Sequence, residues 1–300
     1  MSRPRILTLR SPPSSWIRSP PSPPPPSTSP LILSRSASSR SPSSNVWIQR
    51  QRNDPFVKQR HSPLSQLPVS SFVSRSAFKL LDLHTRSLKQ EHKLLRPGMT
   101  IVDLGAAPGG WIQAASEVLR GEGIVVGVDL LPLQREIGGL EGVSFVRGDF
   151  LDPMVQRKVK QALKQATGQR TPRVDLVLSD MMANTTGSSL RDSSLSLLLC
   201  ESALAFALQN LSPSPSQTSA PTQFITKHFS SLHTKTFQEK LRGYFGEVRW
   251  VKPESSRKES KEGFFVCGGL RERKEWPLEE IEESDRQGKE EKAKEDDLYF

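Results

Sequence analysis

Residues 100–111 constrain this chain more than any other stretch. Thr100-Ile101-Val102-Asp103-Leu104 is a short apolar run, Gly105-Ala106-Ala107-Pro108-Gly109-Gly110 follows it, and a segment with helical character starts near Trp111. A buried strand, a glycine-rich turn and a helix in that order open a parallel α/β sheet. The rest of the chain continues the alternation. Upstream, 74–83 reads as an amphipathic helix with Ser74 or Ser76 near its cap. Downstream, strand-like runs at 124–129, 143–146, 174–180, 224–227, 248–250 and 264–267 alternate with a helix of roughly 15 residues after Asp152 and a long one over 190–211. The expected fold is α/β and Rossmann-like: a mostly parallel seven-stranded sheet with helices on both faces. The final hairpin-like pair allows one antiparallel strand.

Ligands of open α/β sheets bind beyond the carboxyl ends of the strands, and three carboxylates fall there. Asp103 precedes the glycine turn, Asp129 ends the second strand, and Asp149 stands in Gly148-Asp149-Phe150 after the third. A carboxylate ending the second strand is placed to accept hydrogen bonds from ribose hydroxyls. Glycines in the turn let backbone approach the ligand with no Cβ between them. The turn lacks the spaced glycines that cradle a dinucleotide pyrophosphate, which disfavours an NAD- or FAD-binding oxidoreductase. A ligand without phosphates, such as S-adenosyl-L-methionine, fits better. The candidate cofactor residues are Asp103, Gly105, Ala106, Pro108, Gly109, Gly110, Asp129, Asp149 and Phe150.

Charge bears on partners and organisation. The chain of 300 residues carries +10 overall; its first 53 residues hold eight Arg and no acid, and 271–300 carries a net −5, so the middle stands at +7. A basic domain attracts polyanions, nucleic acid above all. Residues 1–45, rich in Arg, Ser and Pro, have the composition of a mitochondrial transit peptide; a chloroplast address or a plain disordered tail shares much of it. Prolines interrupt any secretory apolar region. The Ser/Pro stretch 212–221 reads as a surface loop and 271–300 as a charged, disordered tail, leaving one catalytic domain over 46–270. No apolar run approaches the ~18 residues of a membrane helix, so no span is expected. Cys200 and Cys267 read as buried small hydrophobes, and no spacing suggests a metal site.

Taken together, SRSAFKL (74–80), PGMTIVDLGAAPGGW (97–111), GVDLLP (127–132), GDF (148–150), SDMMANTTG (179–187), FITKHF (224–229) and KPESSRKESKEGFFV (252–266) resemble the FtsJ-type ribosomal RNA 2′-O-methyltransferases. The stretch from Val46 to Lys58 is similar to the mitochondrial branch, which modifies a uridine of large-subunit rRNA. The resemblance implies a catalytic set of Lys79, Asp180, Lys227 and Glu262, with Glu254 and Glu259 as competitors for the last place. It also implies that Gly109, Trp111, Asp129, Asp149 and Asp180 line an S-adenosyl-L-methionine pocket. Lys227 would act as base, oriented by Asp180, or stay charged and stabilise the developing alkoxide; Lys79 and Glu262 would position the ribose. The expected partner is mitochondrial large-subunit rRNA or a pre-ribosomal particle, met by a monomer in the mitochondrial matrix. Arg257, Lys258, Lys261 and the Arg50–Arg60 stretch are candidate phosphate contacts. The family's DMAPN reads Asp180-Met181-Met182-Ala183-Asn184 here, without its proline. The alternative is a non-catalytic rRNA-binding assembly factor that retains the fold.

Overall fold

A computed structural model describes residues 72–86, 93–184, 186–212, 222–257 and 259–276. The readings placed on 1–45, on Arg50–Arg60, on Lys258, on 213–221 and on the tail beyond 276 lie outside the described residues.

Strand β1 (Met99–Leu104) is buried at every position, as a strand covered on both faces must be. It pairs in parallel with β2 (Gly123–Asp129) on one side and β4 (Leu176–Ser179) on the other. Beyond these lie β3 (Val143–Arg147), parallel to β2, and β5 (Gln223–Phe229), parallel to β4. The last strand, β7 (Glu262–Leu270), inserts antiparallel between β5 and β6 (Phe245–Val251). The seven-stranded order β3-β2-β1-β4-β5-β7-β6 carries the expected single antiparallel strand.

Alternation along the strands divides the core. Helices α1 (Ser76–Arg86), α2 (Gly110–Leu119) and the single turn α3 (Arg135–Gly138) lie on one face, where Leu80, Leu83, Trp111, Ile112 and Ile137 pack against Ile101, Val125, Leu178, Ile225 and Phe264. Helices α4 (Pro153–Thr167), α5 (Ser189–Asn210) and α6 (Thr234–Tyr244) cover the other, where Val159, Leu163, Phe206 and Phe237 meet Val102, Val126, Phe224 and Phe265. Local chemistry sets the boundaries. Asp152 accepts from Met154 N at 2.8 Å, Pro153 occupies the first turn, and Gly168 at φ 65 ends the 15-residue α4. Helix α6 was not expected: its charged residues obscure the stripe of Phe237, Leu241 and Tyr244 that it buries. Strand β4 is shorter than 174–180 suggests, because Val174 makes only a single bridge to Leu211. Cys200 and Cys267 are free and buried. Among the described residues no helix is long and apolar enough to cross a membrane.

Candidate active site

The glycine turn between β1 and α2 is held so tightly that side chains cannot enter it. A Cβ on Gly105, at φ +84, would stand 2.9 Å from the Met181 backbone, and one on Gly109, at φ +115, 2.7 Å from Ile137. Ala106 and Gly110 are buried within it, and the Pro108 carbonyl accepts from Gln134 N at 3.1 Å, which ties the turn to α3. Asp129 caps it from β2. Its Oδ2 accepts from Ala107 N at 2.9 Å and its Oδ1 from Leu131 N at 2.8 Å, and the Leu130 backbone adds a further bond, which still leaves acceptor capacity for a hydroxyl. Burial raises its pKa, opposed by these backbone bonds.

Asp103 is the anomaly. It is fully buried, and neither carboxylate oxygen has a hydrogen-bond partner. Burial pushes its pKa well above 3.8, and the nearby Asp180 and Asp129 push it further. Three carboxyl groups thus converge at the carboxyl ends of β1, β2 and β4. Their summed acidity disfavours a polyphosphate and favours a cation, whose arrival would draw Asp103 toward its charged form. S-adenosyl-L-methionine, which carries a sulfonium and an ammonium, fits both this charge and the close glycine turn; a dinucleotide does not.

The remaining expected cofactor residues differ in exposure. Asp149 is exposed, with Oδ1 accepting from Leu151 N at 2.9 Å. Phe150 turns inward against Phe206. Trp111 is also buried: its Nε1–H donates to the Ser76 carbonyl at 2.7 Å and its ring packs on Phe264. Its visible work is to fasten α1 to α2 and the sheet.

The four residues drawn from separate motifs meet beside this cradle as two ion pairs. Lys79, from α1, lies 2.9 Å from Glu262 Oε1 and donates to Oε2 at 3.0 Å. Lys227, from β5, lies 3.0 Å from Asp180 Oδ1 without hydrogen-bond geometry and donates to the Asp180 carbonyl at 2.7 Å. The side chains of all four are 6–16% exposed. Topology explains the meeting. Lys227 stands opposite Phe264 in the antiparallel β5–β7 ladder, and Glu262 opposite Phe229, so the alternation of strands sends Lys227, Phe264 and Glu262 to the face covered by α1. Of the three candidate glutamates, Glu262 alone pairs with Lys79: Glu254 is exposed and pairs with Arg86, and Glu259 is exposed.

Several supporting residues were not singled out from the sequence. Phe264 lies under the first pair, with Lys79 Nζ 5.9 Å from its ring centroid, and stands opposite Lys227 in the ladder. Cys200 donates to the Lys227 carbonyl at 3.0 Å, and His228 bridges to Thr234 Oγ1 at 3.1 Å. Burial pushes the His228 pKa down to about 4 and the Cys200 thiol up to about 11, which makes this a neutral brace behind the lysine. Arg75 donates to the Ser255 carbonyl, and Asp82 accepts from Ser255 N at 2.9 Å, so the β6–β7 loop is strapped to α1. Only the continuous apolar run 264–267 hinted at any of these contacts.

Comparison with known proteins agrees with this architecture. The profile of FtsJ-like methyltransferases matches residues 72–270. The ribosomal RNA large subunit methyltransferase E of Pseudomonas fluorescens is 34% identical over 236 residues, covering 79% of this chain and 99% of that protein. Its counterpart in Rickettsia bellii is 37% identical over 242 residues, covering 79% and 93%. Among solved structures, a ribosomal RNA methyltransferase from Plasmodium falciparum superposes with a TM-score of 0.53 at 24% identity, over 66% of this chain and 97% of that one, and so shares the fold. With strands, cradle and paired residues in place across the matched region, this chain belongs to the FtsJ-like methyltransferase family.

Proposed function

We propose that this protein transfers a methyl group from S-adenosyl-L-methionine to a ribose 2′-hydroxyl, on a uridine of mitochondrial large-subunit rRNA, and so supports ribosome assembly. The observation that carries this reading is the meeting of two buried lysine–carboxylate pairs beside a cradle that holds the buried, unpartnered Asp103. The rRNA substrate is supported by the large-subunit methyltransferases to which the chain is similar. A mitochondrial address on residues 1–45, a catalytic domain over 46–270 and a charged tail over 271–300 are supported by composition.

The cofactor, when bound, supplies an electrophilic methyl on its sulfonium. Asp129 would hold its ribose hydroxyls, the glycine turn would admit its body, and Asp103 would meet its positive charge. A 2′-hydroxyl is a weak nucleophile that must gain negative charge as the new C–O bond forms. Lys227 is gripped by a carboxylate and a carbonyl of Asp180, which fix its Nζ beside the cradle, so we assign it to stabilising the developing alkoxide. The hydroxyl proton then leaves to solvent. Lys79 and Glu262 form a fixed donor–acceptor pair that orients the ribose.

The test incubates the full chain with radiolabelled S-adenosyl-L-methionine and mitochondrial large-subunit rRNA or ribosomal particles, alongside Lys227→Ala. Label in an alkali-resistant 2′-O-methyl dinucleotide, lost in the variant, is the expected result. Measurable cofactor binding with no label on either substrate would replace this reading with a non-catalytic assembly factor. Residues 1–45 fused to a fluorescent protein should deliver it to mitochondria; a cytosolic fusion would refute the address.

A further inference from the structure

Past the two ion pairs, at the carboxyl ends of β4 and β5, a cleft of about 190 Å³ opens between the loop after Asp180, the first turns of α5 and the start of β7. We propose that this cleft receives the base of the nucleotide whose ribose is methylated, and that the base must leave its stack to enter. The inference rests on the proposed 2′-O-methylation and names how its substrate is held.

Position comes first. Met182 lines the cleft two residues beyond Asp180, Phe229 two residues beyond Lys227, and Lys261 immediately before Glu262. A ribose held at the ion pairs carries its base one glycosidic bond away, and these chain neighbours of the paired residues line the cleft beside it. Size comes next. At ≈ 190 Å³ the cleft holds roughly six waters' worth of volume and falls below the roughly 300 Å³ where pockets for whole small-molecule ligands begin. It suits one ring.

The lining has the chemistry that a base requires. The half-buried Phe229 ring and the exposed Met182 thioether are polarizable walls against which an aromatic face can lie. Asn184 brings an amide with both donor and acceptor, and Ser193 and Ser196 bring hydroxyls from α5. Lys261 stands at the rim, where a phosphate of the strand would pass. Asp192 has a different task. Its Oδ1 accepts from Thr186 N and Oγ1, each at 2.7 Å, and its Oδ2 from Gly187 N at 3.2 Å, so it pins the end of the loop to α5 and fixes one wall. In an A-form helix a 2′-hydroxyl is displayed in the shallow minor groove with its base still paired. A base pocket beside the reacting hydroxyl implies instead that the substrate presents an unpaired or extruded nucleotide.

The experiment compares two RNA oligonucleotides spanning the position that the full-length wild type modifies. One carries the normal base there; the other carries an abasic ribose with its 2′-hydroxyl intact. We expect the wild type to favour the base-bearing RNA in kcat/KM by about tenfold or more. Ser193→Phe, which fills the cleft, and Asn184→Ala, which leaves α5 intact, should bring that ratio toward one, with melting temperatures recording that each variant folds. If Ser193→Phe fails to fold, Asn184→Ala decides. A wild-type ratio near one, or a ratio unchanged in the folded variants, overturns the pocket while leaving the methylation reading standing. Absence of any methylation by the wild type removes that reading itself, and the pocket with it.

Discussion

The two halves of the site are built by opposite means. At the ends of β1 and β2 the cradle is made of backbone, with a buried carboxyl, Asp103, that has no hydrogen-bond partner among the described residues. Across β5, β7 and α1 the reactive groups arrive as side chains, each cation already matched to a carboxylate. The first half is electrostatically incomplete until a cation enters; the second is arranged before any substrate arrives. Preorganised charge of the second kind lowers a barrier because little reorganises during the reaction. A buried carboxyl of the first kind costs stability, most when it is ionised, a cost that a positively charged ligand can offset on binding.

This contrast can be broken at several points. Lys227→Ala should have the largest effect, lowering the methyl-transfer rate by about 10³-fold while cofactor affinity, measured by calorimetry, stays within a few-fold of wild type. Lys227→Arg sharpens the assignment: substantial residual activity supports the alkoxide-stabilising role, and a dead, folded variant returns the lysine to a base. Glu262→Gln leaves Lys79 without its partner charge and should slow the reaction by about 10²-fold, again with the cofactor bound normally. Asp103→Asn should do the reverse, weakening cofactor binding by about tenfold and raising the melting temperature of the free protein. The sign of its pH dependence is fixed. Because the folded-state pKa of Asp103 lies well above 3.8, the folded protein holds a proton that the unfolded chain has lost, and wild-type stability falls as pH rises between those values. The thermal advantage of Asp103→Asn should therefore vanish below about pH 4 and grow above it. Trp111→Phe should have the smallest effect: losing the bond to Ser76 costs about 1 kcal/mol of stability and slows catalysis modestly through α1, with cofactor affinity untouched. A large loss of affinity in that variant would place Trp111 in the pocket after all.

What could be read from the sequence follows the same division. Period and punctuation disclose strands and turns, so the strand–glycine–helix unit and the 15-residue α4 were visible in 100–111 and after Asp152. Motif resemblance could name Lys79, Asp180, Lys227 and Glu262 because each sits in a separate recognisable segment, and the structure brings these four together. Orientation was harder. Trp111 and Phe150 occupy motif positions, but whether a large ring faces ligand or core depends on neighbours far along the chain, here Phe264 and Phe206. The support behind Lys227 was hidden for the same reason: a buried cysteine on α5 reads as packing until the carbonyl it touches is known. Choosing Glu262 over Glu254 and Glu259 required β7 to start where it does.

The insertion of β7 between β5 and β6 also imposes an order in time. During synthesis the ribosome releases the cradle first, and a chain ending before residue 262 would contain all of its parts. It would lack Glu262, the strand opposite Lys227 and the ring beneath Lys79. Methyl-transfer competence therefore depends on the last strand threading into a sheet whose other six members are already made. A prematurely ended product could carry the cofactor's binding groups yet have no means of using them.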